Sequence, residues 1–391
     1  MFLSLFLIFF VGVIGGILFE KIRIPKIIFY LILGILFGGG CLDLIDPSLE
    51  AISDNLRQIA LIIILTRAGL ALDFKSLVKN GRAAILMCFL PASLEIIGVT
   101  IFGPLLLNIS YLEALLLGCV LGAVSPAIVV PRMLKMIDNE EGGDIPKVIM
   151  AGASCDDIFV IVIFYSVLNI LKTSSTISFG NLIQIPSSII LGLVLGAILG
   201  IALIYIFKIL KASSIIKVIA ILGVSFLMVW FEAYIKPYIS VSALLGVIVL
   251  SMIVSTKIDD VKEVKISYNH LWNAFEIILF VLVGTRVKLD LLFSLDGLKI
   301  LFLVLIGLSF RTIGVLLCII KKGYSLHEKV FFVVSYLPKA TVQASIGAIA
   351  LTEGLSCGNI ILVASVIAIV FTAPLGAIAS DFMQKKYFEK K

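Results

Sequence analysis

Thirteen apolar runs fill nearly the whole chain, at residues 2–19, 27–40, 55–72, 83–107, 112–136, 147–171, 183–208, 215–235, 240–254, 271–285, 299–320, 329–350 and 358–380. About 20 apolar residues in an α-helix cross the roughly 30 Å hydrocarbon layer of a bilayer. Inside that layer every backbone amide and carbonyl needs a partner, which leaves helices or closed barrels. Barrel strands read as segments of about ten residues with alternating polarity, and the runs here are continuous. The chain is 61% hydrophobic and only 14% charged, against about 25% charged in soluble domains. The sequence predicts an all-α polytopic membrane protein of about thirteen transmembrane helices. The opening MFLSLFLIFF lacks a basic stretch and a small-residue cleavage site, so it reads as the first membrane helix and not as a signal peptide.

No loop exceeds about 16 residues, so residues 1–391 read as a single transmembrane domain with no soluble regulatory domain. The six cysteines are scattered through apolar runs and read as small buried hydrophobes; both histidines, His270 and His327, are expected in loops. No Walker motif, dinucleotide fingerprint or metal-ligand spacing is present. The chain is therefore not expected to be an enzyme, to hold a cofactor, to couple to ATP or to bind nucleic acid.

Basic residues set the expected orientation. Loops after the first, third, fifth, seventh, ninth and eleventh runs, counted with the run ends that flank them and with the tail at 381–391, hold 22 of the 31 Lys and Arg. The opposite loops and their flanking run ends hold six, and the remaining three, Arg67, Arg311 and Lys339, lie deeper inside runs. The positive-inside rule then places the C-terminus in the cytoplasm and the N-terminus outside, in a cell membrane.

The chain repeats itself. Leu72-Asp73 closes the third run as Leu289-Asp290 closes the tenth, and Glu95-Ile-Ile-Gly-Val99 falls opposite Arg311-Thr-Ile-Gly-Val315 one run later. Residues 2–171 and 215–380 are thus two six-helix repeats of inverted topology joined by the connector 183–208. Secondary transporters are built this way, with their site at mid-membrane between the halves.

Polar residues converge on that midplane. The sixth run carries Asp156 and Asp157 side by side in its middle third. One aspartate at a membrane helix centre costs about 2.5–3.5 kcal/mol on insertion scales, and two adjacent ones repel. The pair reads as a carboxylate site facing a water-filled cavity, exchanging protons for cations. The fifth run is interrupted at Ser125-Pro126 and again at Pro131, the twelfth at Pro338-Lys339. Proline removes a helical hydrogen bond, and paired breaks in two halves are the sequence pointer to a transport site. Ser125, Thr341 and Ser154 are candidate hydroxyl ligands. Glu95 and Arg311 are expected to form a supporting ion pair, with Arg311 to Asp156 as the alternative. Lys339 is expected to snorkel or to face the carbonyl end of a half-helix. Glu232 and Glu276 read as interfacial, near helix ends. Gln343 has no assigned role. Glycines 34, 38, 39 and 40 permit close packing.

At these residues the chain resembles the monovalent cation:proton antiporter superfamily, and most of all bacterial sodium/proton antiporters and their NHA-type relatives. The resemblance spans nearly the whole chain. It rests on Arg67-Ala-Gly-Leu-Ala-Leu-Asp73, Ser125-Pro126, Ala153-Ser-Cys-Asp-Asp157 and Leu337-Pro-Lys-Ala-Thr-Val-Gln-Ala344. It implies a thirteen-helix homodimer with a scaffold of segments 1–3 and 8–10 and an elevator-like core of segments 4–6 and 11–13. It implies Asp157 as the main cation and proton carboxylate, Asp156 beside it, and sodium as the transported metal. Potassium-selective relatives commonly carry Gln where Asp156 stands and add a nucleotide-binding domain, so sodium or lithium is preferred. The alternatives are a potassium/proton exchanger of the same fold, an organic-anion/sodium symporter or a channel-like protein.

Overall fold

The computed structural model describes residues 1–22, 24–71, 81–173, 179–235, 239 and 241–388. Among them every regular element is an α-helix. The first half comprises α1 (Phe2–Lys21), α2 (Lys26–Phe37), α3 (Pro47–Ala51), α4 (Ser53–Ala71), α5 (Gly81–Met87), α6 (Leu90–Leu107), α7 (Tyr111–Leu121), α8 (Pro126–Asp138) and α9 (Ile145–Thr173). There follow α10 (Phe179–Leu210), α11 (Ser214–Ile235), α12 (Ala243–Ser255), α13 (Val261–Gly284), α14 (Leu289–Leu292), α15 (Leu295–Ile319), α16 (Leu326–Ser335), α17 (Thr341–Gly347), α18 (Ile349–Thr352) and α19 (Gly358–Tyr387). Among the described residues nine spans are long and apolar enough to cross a membrane. Among the described residues every expected run overlaps helix.

Three features depart from the sequence reading. The run 83–107 is two helices, because Pro91 lies in the first turn of α6 and the chain turns at Cys88 and Phe89. α13 begins at Val261, ten residues before the expected start. Its first turns are amphipathic, with Val264, Tyr268 and Trp272 buried along one face and Lys262 and Glu263 on the other. His270 therefore lies within a helix, as does His327 in α16. Pro131 sits inside α8 without ending it.

The chain divides into two compact units. The first comprises Met1–Ser53, Asp73–Phe164 and Ile277–Lys391. It contains α1, α2, α5 to α8, α9 as far as Phe164, and α14 to α19. Its longest contact is between α6 and α15, which run antiparallel: Pro91 lies against Gly314 and Val99 against Gly307. A Cβ at Gly314 would sit 2.7 Å from Pro91 Cα, so only glycine permits this approach. Gly34 and Gly38 are taken up inside the chain, against Val281 and Thr285. Beside this contact, Met87, Met133, Val148, Ile149, Phe331, Phe332 and Tyr336 form a buried apolar cluster from α5, α8, α9 and α16.

The second unit comprises Asp54–Leu72 and Tyr165–Glu276. In it α10 and α12 pack in parallel, with Gly192, Gly196 and Gly200 against Ser242, Gly246 and Leu250 in step. Helix association in lipid has little hydrophobic drive, so close backbone approach supplies the contact. Arg67 Nε donates to Asn269 Oδ1 at 2.6 Å within this unit.

Candidate cation site at the crossing of two broken helices

Helix α7 ends at Leu121 and α8 begins at Pro126, while α16 ends at Ser335 and α17 begins at Thr341. The two interruptions touch. Ser125 N–H donates to Pro338 C=O at 2.8 Å, and the Ser125 and Thr341 hydroxyls lie 3.4 Å apart. Pro126 stands at the first position of α8, where its missing N–H costs nothing.

Ending α7 in mid-span leaves its last carbonyls without helical partners. Side chains from elsewhere supply the donors. Gln343 Nε2 donates to Val120 C=O and Ala123 C=O, both at 3.0 Å. Lys339 Nζ donates to Leu121 C=O, and Arg311 Nη1 to Gly122 C=O at 2.5 Å. Two cations thus sit at the negative end of the α7 dipole. Lys339 is fully buried and does not snorkel; its own N–H is held by Thr372 Oγ1 at 2.9 Å.

The cations are tied in turn to carboxylates. Arg311 Nη1 meets Glu95 Oε2 at 2.8 Å and Arg311 Nη2 meets Asp156 Oδ2 at 3.0 Å. The two pairings that sequence reasoning sets as alternatives coexist, because a guanidinium presents its donors in a fork. Arg311 Nε also donates to Tyr336 C=O at 2.7 Å, and the guanidinium lies 5.4 Å from the Tyr336 ring centre. Lys339 Nζ reaches Glu95 Oε1 at 2.7 Å. Asp156 Oδ2 accepts a second bond, from Val124 N–H at 2.8 Å, just ahead of α8. Glu95, Arg311, Asp156 and Lys339 form one buried network of two acids and two bases.

Asp157 is the remainder. It is 6% exposed, and its Oδ1 has no hydrogen-bond partner among the described residues; Asp156 Oδ1 has none either. Among the described residues no ion pair reaches Asp157. Three buried carboxylates therefore share two buried cations, and the uncompensated charge falls on Asp157. No cluster of three or more His, Cys, Asp or Glu with metal-site geometry occurs among the described residues.

The network pairs four buried charges within an apolar chain. The chain matches the family described as "Sodium/hydrogen exchanger, transmembrane" over residues 5–383. It belongs to that family. It is 33% identical to human sodium/hydrogen exchanger 9B1, over 98% of this chain and 77% of that protein. It is 30% identical to mouse sodium/hydrogen exchanger 9B2, over 99% of this chain and 74% of that protein. Its fold matches the sodium proton antiporter MjNhaP1 of Methanocaldococcus jannaschii with a TM-score of 0.81, at 19% identity, covering 98% of this chain and 97% of that one. Family membership makes the chain a multi-pass membrane transporter, an antiporter that exchanges cations for protons, and not an enzyme.

Of the residues singled out in sequence, Asp156, Glu95, Arg311, Lys339, Ser125, Thr341 and Pro338 meet at the crossing, with Asp157 next in sequence to Asp156. The Ser154 side chain and the Leu72-Asp73 pair lie outside the described residues. Glu276 is buried in the interior of α13, not interfacial, because that helix starts earlier than its polar first turns suggest. Glu232 accepts from Ala243 N–H at 3.0 Å. Gln343 is the residue whose role sequence reasoning missed. A lone amide two residues after a broken-helix threonine was the available signal.

Proposed function

We propose that this antiporter exchanges sodium, or lithium, for protons by competition at Asp157. Asp157 holds either a proton or a dehydrated cation, and Asp156 contributes its free Oδ1 to the cation while Arg311 fixes its other oxygen. The hydroxyls of Ser125 and Thr341 are further ligand candidates. Glu95, Arg311 and Lys339 brace the crossing and balance its permanent charges. The observation that carries this reading is the buried, unpartnered Asp157 beside a network already neutral without it. One added positive charge completes the balance, and a proton or a sodium ion supplies it equally.

The core segments are proposed to move as an elevator, exposing the site alternately to either side, and to move only when Asp157 is occupied. The site then cannot return empty, so exchange is obligatory. The same reading places the protein as a homodimer in a cell membrane, N-terminus outside and C-terminus cytoplasmic, exporting sodium at the expense of proton entry. Exchange rises with pH as protons leave the site and falls again when re-protonation limits the cycle.

Purified protein in liposomes with a trapped pH dye and an imposed proton gradient tests the reading. Sodium or lithium is expected to drive proton movement that Asp157→Asn abolishes. A potassium response of equal size, or an undiminished response in the variant, would refute it.

A further inference from the structure

Four successive carbonyls at the end of α7 each accept a side-chain donor. Val120 and Ala123 accept from Gln343 Nε2, both at 3.0 Å. Leu121 accepts from Lys339 Nζ and Gly122 from Arg311 Nη1. Two of these three donors are cations, and Gln343 is the neutral one. Its carboxamide carries two N–H groups on one nitrogen, and it is fully buried. A lysine or arginine in its place would bring the positive charge that Asp157 lacks, and the site would need no ion. The same contacts set the orientation of the amide. Turned over, it would place Oε1 against two carbonyl oxygens. As it stands, Oε1 has no hydrogen-bond partner among the described residues, because both N–H groups are aimed at α7.

The Ala123 contact reaches further than the others. Ala123 C=O and Val124 N–H belong to one planar trans peptide unit, whose two groups point to opposite sides. Gln343 Nε2 holds the carbonyl edge of that plane, and Asp156 Oδ2 accepts from the N–H edge at 2.8 Å. This peptide lies between Leu121, where α7 ends, and Pro126, where α8 begins, so no helical ladder fixes its tilt. Gln343 fixes it instead, from α17 in the second half of the chain. The Asp156 carboxylate is then held at Oδ2 by Val124 N–H and by Arg311 Nη2, with its Oδ1 left free.

We propose that Gln343 is a positioning residue for cation binding, acting on Asp156 through the Ala123–Val124 peptide. The inference rests on the exchange reading above, in which Asp156 Oδ1 is a ligand. A ligand oxygen held in place before the ion arrives binds more tightly than one that must be ordered by it. Without the amide the peptide is free to tilt, the Val124 N–H loses its aim, and Asp156 is held by Arg311 alone.

Full-length protein in detergent is titrated with sodium at constant ionic strength, with choline as the balancing cation. The sodium concentration at half-maximal thermal stabilisation is read. Gln343→Met keeps the length of the side chain and removes both donors. Its half-maximal concentration is expected to rise at least fivefold, with full stabilisation still reached at high sodium. In liposomes the apparent KM for sodium is expected to rise by the same factor with kcat within twofold of wild type. Gln343→Leu repeats the test should the methionine variant fail to fold. Gly196→Ala, which destabilises the second unit away from the crossing, is expected to keep the wild-type half-maximal concentration within twofold. An unchanged half-maximal concentration in the Gln343 variant, an equal rise in Gly196→Ala, or a fall in kcat with KM unchanged would each overturn the proposal while leaving exchange at Asp157 intact. A wild-type protein that sodium does not stabilise would overturn the exchange reading, and this inference with it.

Discussion

Where α10 meets α12, glycines at 192, 196 and 200 let one backbone lie on Ser242, Gly246 and Leu250. Where α7 and α8 meet α16 and α17, the contact is made instead by buried ions and the carbonyls of a broken helix. Both solve the same problem, since helices in lipid gain nothing from hiding apolar surface from one another. The glycine contact is local and divisible, each position contributing by its own fit. The polar crossing is indivisible: Arg311 holds Glu95, Asp156, Gly122 and Tyr336 at once, and the loss of any member strands a charge. A region built the first way is indifferent to protons and cations. One built the second way is proposed to respond to both, and it is where the surplus carboxylate lies.

The sharpest way to break the comparison is to remove Arg311. Arg311→Ala leaves Asp156 without its cation and Glu95 with Lys339 alone, and uncompensated buried charge costs about 3–5 kcal/mol. Thermal unfolding in detergent is expected to show this loss, with a smaller one for Glu95→Ala. The double variant is expected to lose less than the two singles together, because one buried network is counted in both. Strict additivity would show that the two residues do not act as a unit.

In the second unit, Gly196→Ala puts a methyl group onto Gly246 C=O. Overpacking of this kind costs about 1–3 kcal/mol, and the pH profile of the remaining exchange should match wild type. Gly223→Ala is the control, since a Cβ there meets nothing, and its stability should be unchanged or slightly raised. A displaced pH profile in Gly196→Ala would erase the distinction between the regions. Gln343→Ala removes two hydrogen bonds to the end of α7 without removing charge. Interhelical bonds in membranes are worth roughly 1–2 kcal/mol, so a loss of that order in thermal stability is expected.

Much of the crossing was legible in sequence, because proline and intramembrane charge are rare and conspicuous in hydrocarbon. Pro126, Pro338, Asp156-Asp157, Glu95 and Arg311 all announce themselves. What escaped was connectivity. Periodicity and spacing say that Arg311 needs a counter-charge, yet not that its fork takes two acids and two carbonyls, since that depends on where four separate helices bring their atoms. The turn at Cys88 was hidden within an apolar run, with Pro91 its only mark. The early start of α13 was masked by Lys262, Glu263 and Lys265, whose exposed face outweighs the buried Val264 and Tyr268 in any average. Gln343 looked unremarkable because one amide carries no charge.

The smallest expected effect lies outside the membrane and calibrates the others. Asp46 accepts from the Ser48 hydroxyl and backbone N–H and pairs with the Met1 amino group at 2.9 Å. The Ser48 hydrogen bond first, and the Met1 amino group with it, push its carboxyl from the usual 3.8 down to about 2. A depressed carboxyl stabilises the fold above 3.8 and loses that contribution as pH falls through about 2. Acid unfolding of Asp46→Asn should lack this component between those two values, and a curve identical to wild type would mean that the contact does not persist in solution.

The central claim is that Asp157 holds a proton or a cation and never both. Sodium added to unbuffered, detergent-solubilised protein tests it without transport or gradients. Wild type is expected to release protons as sodium binds, and Asp157→Asn to release none. Equal proton release from the variant, or sodium binding by wild type with no proton released, would contradict the account.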